Sequence, residues 1–119
     1  MREIKFRGRK TNSFEWVYGD LRKTQNGNVG ISVNGKLYIV DAETVGQYTG
    51  LKDENNKEIY EGDIAESHDK LLYIVEWHKE DAMFYYKDSY GDEEYDLRMS
   101  AVSFRVLGNI HENPGLLKY

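Results

Sequence analysis

The sequence predicts a mainly β protein, a small barrel or roll of antiparallel strands with little helix. Its 119 residues, of 13.9 kDa, fit one domain over residues 1–119. Six to eight short runs rich in β-branched and aromatic residues are separated by glycines and polar turns. Helical periodicity is weak, and its best windows are the short residues 41–45 and 92–99. Six to eight short strands in one small domain favour an antiparallel barrel or roll.

The first half of the chain carries the strongest strand signals. Residues 15–20 are an aromatic and β-branched run that ends in a Gly-Asp turn. Residues 29–33 and 36–40 are rich in β-formers and flank Asn34-Gly35. An Asn-Gly pair in that setting favours a type I′ turn, whose twist matches that of the flanking strands. These residues therefore predict a β-hairpin.

The second half predicts further short strands. Residues 53–57 form a polar loop, and residues 59–65 contain a Gly-Asp turn that starts another strand. Residues 71–77 are long and rich in β-formers, which predicts a central strand. Residues 83–86 are expected to pair with it across an acidic turn.

The C-terminal part is more polar. Residues 88–96 predict an acidic loop. Residues 102–106 alternate apolar and polar side chains, which is typical of a strand with one solvated face. Asn113-Pro114 ends a strand, and residues 115–119 form a short tail.

Charge is distributed unevenly over a chain whose net charge is −5. Residues 1–24 contain seven Lys/Arg and three Asp/Glu, a net +4, whereas the remaining 95 residues carry a net −9. This pattern indicates either ordinary solvated faces or a dipolar molecule. The basic end of such a molecule would meet nucleic acid or the acidic segment of a second copy. The negative net charge weakens the nucleic-acid alternative, because phosphate binding is mainly electrostatic.

Composition excludes several classes of site. The absence of cysteine excludes disulfides, thiol catalysis and cysteine-ligated metals. The three histidines are far apart, so we expect no metal and no cofactor. No apolar run is long enough to span a bilayer and no signal peptide is visible, so we expect a cytoplasmic protein without a membrane partner. No small-molecule substrate is indicated.

Two groups of residues resemble catalytic sites, but neither predicts an enzyme. Ser67-His68-Asp69 has the residue types of a triad, yet neighbours on an extended chain point to opposite faces. A small hydrolase could instead use paired carboxylates, but nothing in the sequence places two of them around a common substrate. The carboxylates in question are Glu58, Glu61, Asp63 and Glu66.

A basic segment near the N-terminus is the candidate macromolecule-binding site. Bases can stack on its aromatic rings while its cations contact phosphates. Its candidate residues are Lys5, Phe6, Arg7, Arg9, Lys10 and Trp16. The alternative is an edge strand in which Ile4 and Phe6 point inward. In that case Lys5 and Arg7 would point outward and prevent edge-to-edge aggregation.

Three blocks of residues resemble the YopX family of phage and prophage proteins. They are residues 2–7 (REIKFR), residues 45–64 (VGQYTGLKD…KEIYEGDI) and residues 108–114 (GNIHENP). The resemblance covers the whole chain, since the three blocks lie in the family's order and the family's length is similar. The resemblance implies a bacterial host cell, a mainly β roll related to SH3-type barrels, and multimeric assembly. It implies no catalytic residues, because the family has no established activity.

The central block also has a direct physical interpretation. Its glycines, such as Gly62, allow tight backbone turns. Asp53 and Asp63 can accept hydrogen bonds from turn amides. These features predict a rigid scaffold segment rather than a catalytic loop.

The sequence therefore favours a non-enzymatic phage or prophage accessory protein of unknown biochemical activity. We expect a self-associating β domain that acts as a structural or binding module. We expect a homo-oligomer because the chain has sixteen aromatic residues, which one small barrel does not readily bury. Aromatic residues also concentrate at protein interfaces. The alternative is a nucleic-acid-binding module that uses the basic N-terminal segment, with binding that weakens steeply as salt is added.

Overall fold

Antiparallel β-strands make up most of the chain, as predicted. The structure is a computed structural model that describes residues 4–68, 70–78, 83–88, 94–96 and 104–117. Within those residues, two short 3₁₀ helices, Ala42–Thr44 and Pro114–Leu117, lie among the strands. The strands are β1 Phe6–Arg9, β2 Trp16–Lys23, β3 Val29–Val33, β4 Lys36–Val40, β5 Gly46–Lys52, β6 Glu58–Tyr60, β7 Asp63–Glu66, β8 Leu72–His78, β9 Met83–Asp88, β10 Glu94–Asp96 and β11 Arg105–Asn109.

The chain forms two compact units, Met1–Tyr48 and Thr49–Tyr119, and the boundary between them falls within β5. The expectation of a single domain over residues 1–119 stays a prediction. The first unit contains β1 to β4 and the start of β5, and the second unit contains the remaining elements.

The strands of the first unit curl into a nearly closed sheet. Their order is β4-β3-β2-β1-β5. Beyond β1 the chain also reaches β4, because Thr11 N donates to Ile39 O at 3.2 Å and Asp41 N donates to Arg9 O at 2.9 Å. This closure is consistent with the SH3-like barrel that the resemblance implies. Ile31 and Val40 are buried beneath it.

The predicted β3–β4 hairpin is confirmed residue by residue. Val33 pairs with Lys36 across the two-residue turn. Asn34 and Gly35 have φ values of 51° and 85°, as a type I′ turn requires at both central positions. The turn therefore sets the register that places β4 side chains on their observed face.

The second unit is built around a five-stranded sheet of order β10-β9-β8-β7-β11, while β6 lies beside β5. The predicted central strand is confirmed, since β8 lies between β7 and β9. Aromatic rings fill its core, with Tyr86 and Tyr73 packing on Phe104 at centroid distances of 4.6 and 5.5 Å. The buried core residues are Ile59, Ala65, Val75, Phe84, Tyr86, Phe104 and Val106.

Two buried aspartates hold the turns of the central block, as predicted. Asp53 Oδ1 accepts hydrogen bonds from the backbone N–H groups of Asn55 and Lys57, both at 2.9 Å. Its Oδ2 accepts from Val106 N at 2.9 Å, which ties the loop to β11. Asp63 Oδ2 accepts from Tyr60 N at 2.8 Å across the turn between β6 and β7. The segment is therefore held by side-chain hydrogen bonds to backbone donors in its turns and in β11.

Several local predictions were wrong. Residues 94–96, predicted as part of an acidic loop, form β10 and pair with β9. The predicted strand over residues 102–106 begins only at Arg105 and extends to Asn109, and residues 101–103 lie outside the described residues. Eleven strands are described rather than six to eight. Residues 114–117 form a 3₁₀ helix instead of a plain tail.

Candidate functional site

The basic N-terminal segment lies inside a sheet and not at its edge. β1 pairs with β2 on one side and with β5 on the other. The edge-strand alternative is therefore wrong, and so are its side-chain directions. Ile4 is 66% exposed, whereas Arg7 is only 6% exposed. Neighbouring strands satisfy the backbone of β1, so its charges are not needed to protect an edge.

Three of the predicted cations lie against aromatic rings along one face of β1. Because side chains alternate along a strand, Lys5, Arg7 and Arg9 share a face and Phe6 lies on the other. Lys5 Nζ lies 5.3 Å from the centroid of the Tyr48 ring. The Arg7 guanidinium carbon lies 5.1 Å from the centroid of Trp16. Since Arg7 is buried, this pair stabilises the sheet and presents little charge to a ligand.

The pattern of cations against aromatic rings continues beyond β1. The Arg9 guanidinium carbon lies 5.8 Å from the ring centroid of Phe14, on the loop between β1 and β2. Lys10 Nζ and Lys36 Nζ lie 4.5 and 5.2 Å from the ring centroid of Tyr38, on β4. We call these five residues the basic–aromatic surface: Arg9, Lys10, Phe14, Lys36 and Tyr38.

Two shallow grooves flank the loop that carries Phe14. One, of about 380 Å³, is lined by residues 10–12 and 37–39. The other, of about 260 Å³, is lined by residues 9–14 and Asp41. Lys10 lines both grooves. The surface thus combines concave space with cations and rings, all contributed by the first unit.

Backbone and side-chain hydrogen bonds fix this loop in place. Lys10 N donates to Glu15 O at 3.0 Å, which closes the loop. Arg9 N donates to the hydroxyl of Thr44 at 2.9 Å, and that hydroxyl donates to Asp41 O at 2.6 Å. Thr44 is 1% exposed, so its bonds are shielded from water. The short 3₁₀ helix therefore positions the end of β1.

Two carboxylates partly offset the charge of the surface. Glu15 lies 3.6 Å from Lys10, and Asp41 lies 4.0 Å from Arg9. The two cations are partly buried, with the Arg9 side chain 22% and the Lys10 side chain 21% exposed, so an incoming anion must compete with these carboxylates for them. With three cations and two carboxylates, the surface has a small positive balance.

Sequence reasoning identified Arg9 and Lys10 but missed the other members of the surface. Lys36 and Tyr38 are distant in sequence and reach the site only because β4 lies beside the end of β1. The sequence does contain a signal for Phe14, because this large aromatic residue directly follows the polar run Thr11-Asn12-Ser13, where a loop is expected. Its ring is 85% exposed.

The catalytic candidates are not assembled by the described residues. His68 Nε2 lies 3.0 Å from Glu54 Oε2, and the Ser67 hydroxyl accepts from Leu71 N. Asp69 lies outside the described residues.

Of the four candidate carboxylates, Glu58 and Asp63 both accept hydrogen bonds from Tyr60, from its hydroxyl and from its backbone N–H respectively. Glu58 Oε1 accepts from the Tyr60 hydroxyl at 3.0 Å, and Glu66 is paired with Arg105 and with Lys70. A groove of about 160 Å³ lined by residues 54, 66–68, 70 and 105 contains Glu66 alone of the four.

Metal and membrane features are likewise absent from the described part of the chain. Within residues 4–68, 70–78, 83–88, 94–96 and 104–117, no three His, Asp or Glu side chains are grouped to hold a metal ion. In those same ranges, no helix has the length and apolar character needed to cross a membrane.

The fold and the surface define a small, mainly antiparallel β protein with cations and rings clustered at one loop. The family model described as YopX protein matches residues 5–118, so the chain belongs to the YopX family. The structure is similar to that of protein EF1440 from Enterococcus faecalis, with a TM-score of 0.62 and 23% identity. The alignment covers 99% of this chain and 100% of that one. This likeness supports the fold alone. No curated protein matches the chain.

Proposed function

We propose that this YopX-family protein is a non-enzymatic binding module whose basic–aromatic surface holds an acidic macromolecule. The single observation that carries the proposal is the joint position of Lys10 and Lys36 over the Tyr38 ring, beside two open grooves. Their two ammonium groups repel each other, and an anionic group placed between them relieves that repulsion. The small positive balance of the surface favours local contact with an acidic chain, while the net charge of −5 opposes the approach of that chain from a distance.

The non-enzymatic part of the proposal is supported by what the candidate carboxylates do. Asp63 bonds a turn amide, Glu58 bonds a tyrosine hydroxyl, and Glu66 is paired with cations. Each of these is a structural contact. The proposal extends to an accessory role for a phage or prophage protein in the cytoplasm of the bacterial host, as the family resemblance implies.

Neutralising both lysines is expected to weaken polyanion binding about tenfold at low salt. The variant is Lys10→Gln with Lys36→Gln, and affinity is measured by calorimetry with a heparin fragment. The matched control, Lys23→Gln with Lys57→Gln, removes the same charge from exposed positions outside both grooves. Equal weakening in the two double variants would refute a site at the basic–aromatic surface.

A second candidate function is self-association, which the charge of the two units favours. Residues 1–48 contain eight Lys/Arg and five Asp/Glu, a net +3, whereas residues 49–119 contain eight and sixteen, a net −8. Opposite charges of this size allow the first unit of one copy to attract the second unit of another. Such contact is heterologous and gives a ring or a chain of copies.

Sedimentation at micromolar concentration tests self-association. We expect a species larger than the 13.9 kDa monomer at low salt, with dissociation as salt is added, because screening weakens attraction between exposed charges. A monomer at every salt concentration would exclude this second function. An assembly that resists salt would point to apolar contacts, such as the exposed Phe14 and Leu37, and would refute the electrostatic account.

A further inference from the structure

We infer that the acidic macromolecule held by the basic–aromatic surface is a single-stranded nucleic acid, with a base stacked on Phe14. This inference rests on the proposed function and adds the class of ligand. A single strand presents unstacked bases together with phosphates, whereas a duplex hides its bases and an acidic protein has none. The surface contains partners for both parts of such a ligand.

Phe14 is placed as a stacking platform. It is 85% exposed, yet it lies on a loop whose ends are fixed by Lys10 N to Glu15 O and Thr11 N to Ile39 O. The Arg9 guanidinium carbon lies 5.8 Å from the ring centroid, and most of Phe14 is open to solvent. An apolar ring that is exposed to solvent on a fixed loop can bury one of its faces by stacking against a base.

The cations near Phe14 are available to contact the phosphates of a strand whose base stacks on that ring. Lys10 lines both grooves, and Lys36 lies near it over Tyr38. The two grooves share residues 10–12, so a strand bound along the loop can occupy both of them. Its phosphates can then contact Arg9 beside Phe14 and the two lysines at Tyr38.

The carboxylates of the surface argue for a single strand over a duplex. Glu15 and Asp41 lie within 4.0 Å of Lys10 and Arg9, respectively. These carboxylates lower the net positive charge of the surface. A duplex would depend on that charge, because duplex binding without base contact is almost entirely electrostatic. Stacking is independent of these carboxylates and is gained by the single strand alone.

The test compares three labelled probes by fluorescence anisotropy at low salt. They are a thymidine oligonucleotide of about 12 nucleotides, a duplex of the same length and a heparin fragment. We expect the wild-type protein to bind the single strand about tenfold more tightly than the duplex. Phe14→Leu, which keeps an apolar side chain but removes the ring, is expected to lose about tenfold in single-strand affinity. Heparin affinity should stay within about twofold, since it needs no stacking.

Phe14→Tyr is the matched control, because it restores a ring of similar size at the same position. It should bind the single strand as the wild type does. Equal affinity for single strand and duplex, or no effect of Phe14→Leu, would overturn the inference while heparin binding upheld the proposed function. Absence of binding to all three probes would overturn both the inference and the proposed function.

Discussion

Replacing Asp53 with alanine is expected to lower the free energy of unfolding by about 3–5 kcal/mol. The Asp53 carboxylate is 5% exposed and accepts three backbone hydrogen bonds, from Asn55, Lys57 and Val106. Alanine leaves these donors without acceptors, and the Val106 N–H lies on a buried residue where water does not easily replace the carboxylate. For a domain whose total stability is about 5–15 kcal/mol, this loss is large.

Urea unfolding followed by circular dichroism measures this effect. Asp20→Ala is the control, because Asp20 is an exposed aspartate whose only described ion pair, with Arg22, is also exposed. We expect that substitution to change stability by less than about 0.5 kcal/mol. The free energy of unfolding of Asp53→Asn should fall between those of the two alanine variants. The asparagine amide keeps one acceptor oxygen, but its NH₂ group then faces a backbone N–H, which is also a donor. Equal stability of Asp53→Ala and Asp20→Ala would show that the carboxylate does not hold the loop.

Replacing Gly19 with alanine is expected to destabilise the protein by about 3 kcal/mol. Gly19 lies in β2, and a Cβ atom at this position would overlap the backbone oxygen of Ser32 on β3. The neighbouring Asp20–Ser32 pair belongs to the β2–β3 ladder, so the oxygen cannot retreat without breaking strand pairing. The overlap is with backbone and not with a flexible side chain, which makes the substitution costly.

Thermal unfolding of Gly19→Ala against Gly115→Ala tests this close approach. Gly115 has open space where a Cβ would lie, so its replacement should leave the melting temperature within about 2 °C of the wild type. If Gly19→Ala and Gly115→Ala have the same melting temperature, β2 and β3 do not approach as closely as the structure indicates. Loss of stability in Gly19→Ala alone would uphold the close pairing.

Local turn chemistry explains which parts of the fold the sequence could predict. The β3–β4 hairpin follows from Asn34-Gly35, because these residues adopt positive φ at little cost. The central position of β8 follows from its long apolar run. Asp53 and Asp63 were recognised as turn acceptors because their side chains bond amides close by in sequence. In each case the determining interaction is local.

Long-range pairing explains what the sequence could not predict. Residues 94–96 are acidic, and only their pairing with Lys87, Tyr86 and Tyr85 makes them a strand. Strand propensity is set largely by such neighbours. The register of β11 is likewise shifted near Leu107 by a bulge against β7. Neither feature has a signal within its own residues.

Only part of the candidate site could be predicted from the sequence, because the rest depends on contacts between distant residues. The sequence shows that cations alternate along β1, but burial against Tyr48 and Trp16 is a property of the folded sheet. Closure of the first unit then brings Lys36 and Tyr38 to Lys10. Of the predicted cations, only Arg7 is buried, and the basic–aromatic surface lies at the loop beyond β1.

The slope of log affinity against log salt concentration tests the central claim most directly. It is measured with the heparin fragment for the wild type and for the two double-lysine variants. We predict a linear fall for the wild type, a slope shallower by about one to two units for Lys10→Gln/Lys36→Gln, and the wild-type slope for Lys23→Gln/Lys57→Gln. Identical slopes in all three proteins would contradict the assignment of anion binding to the basic–aromatic surface.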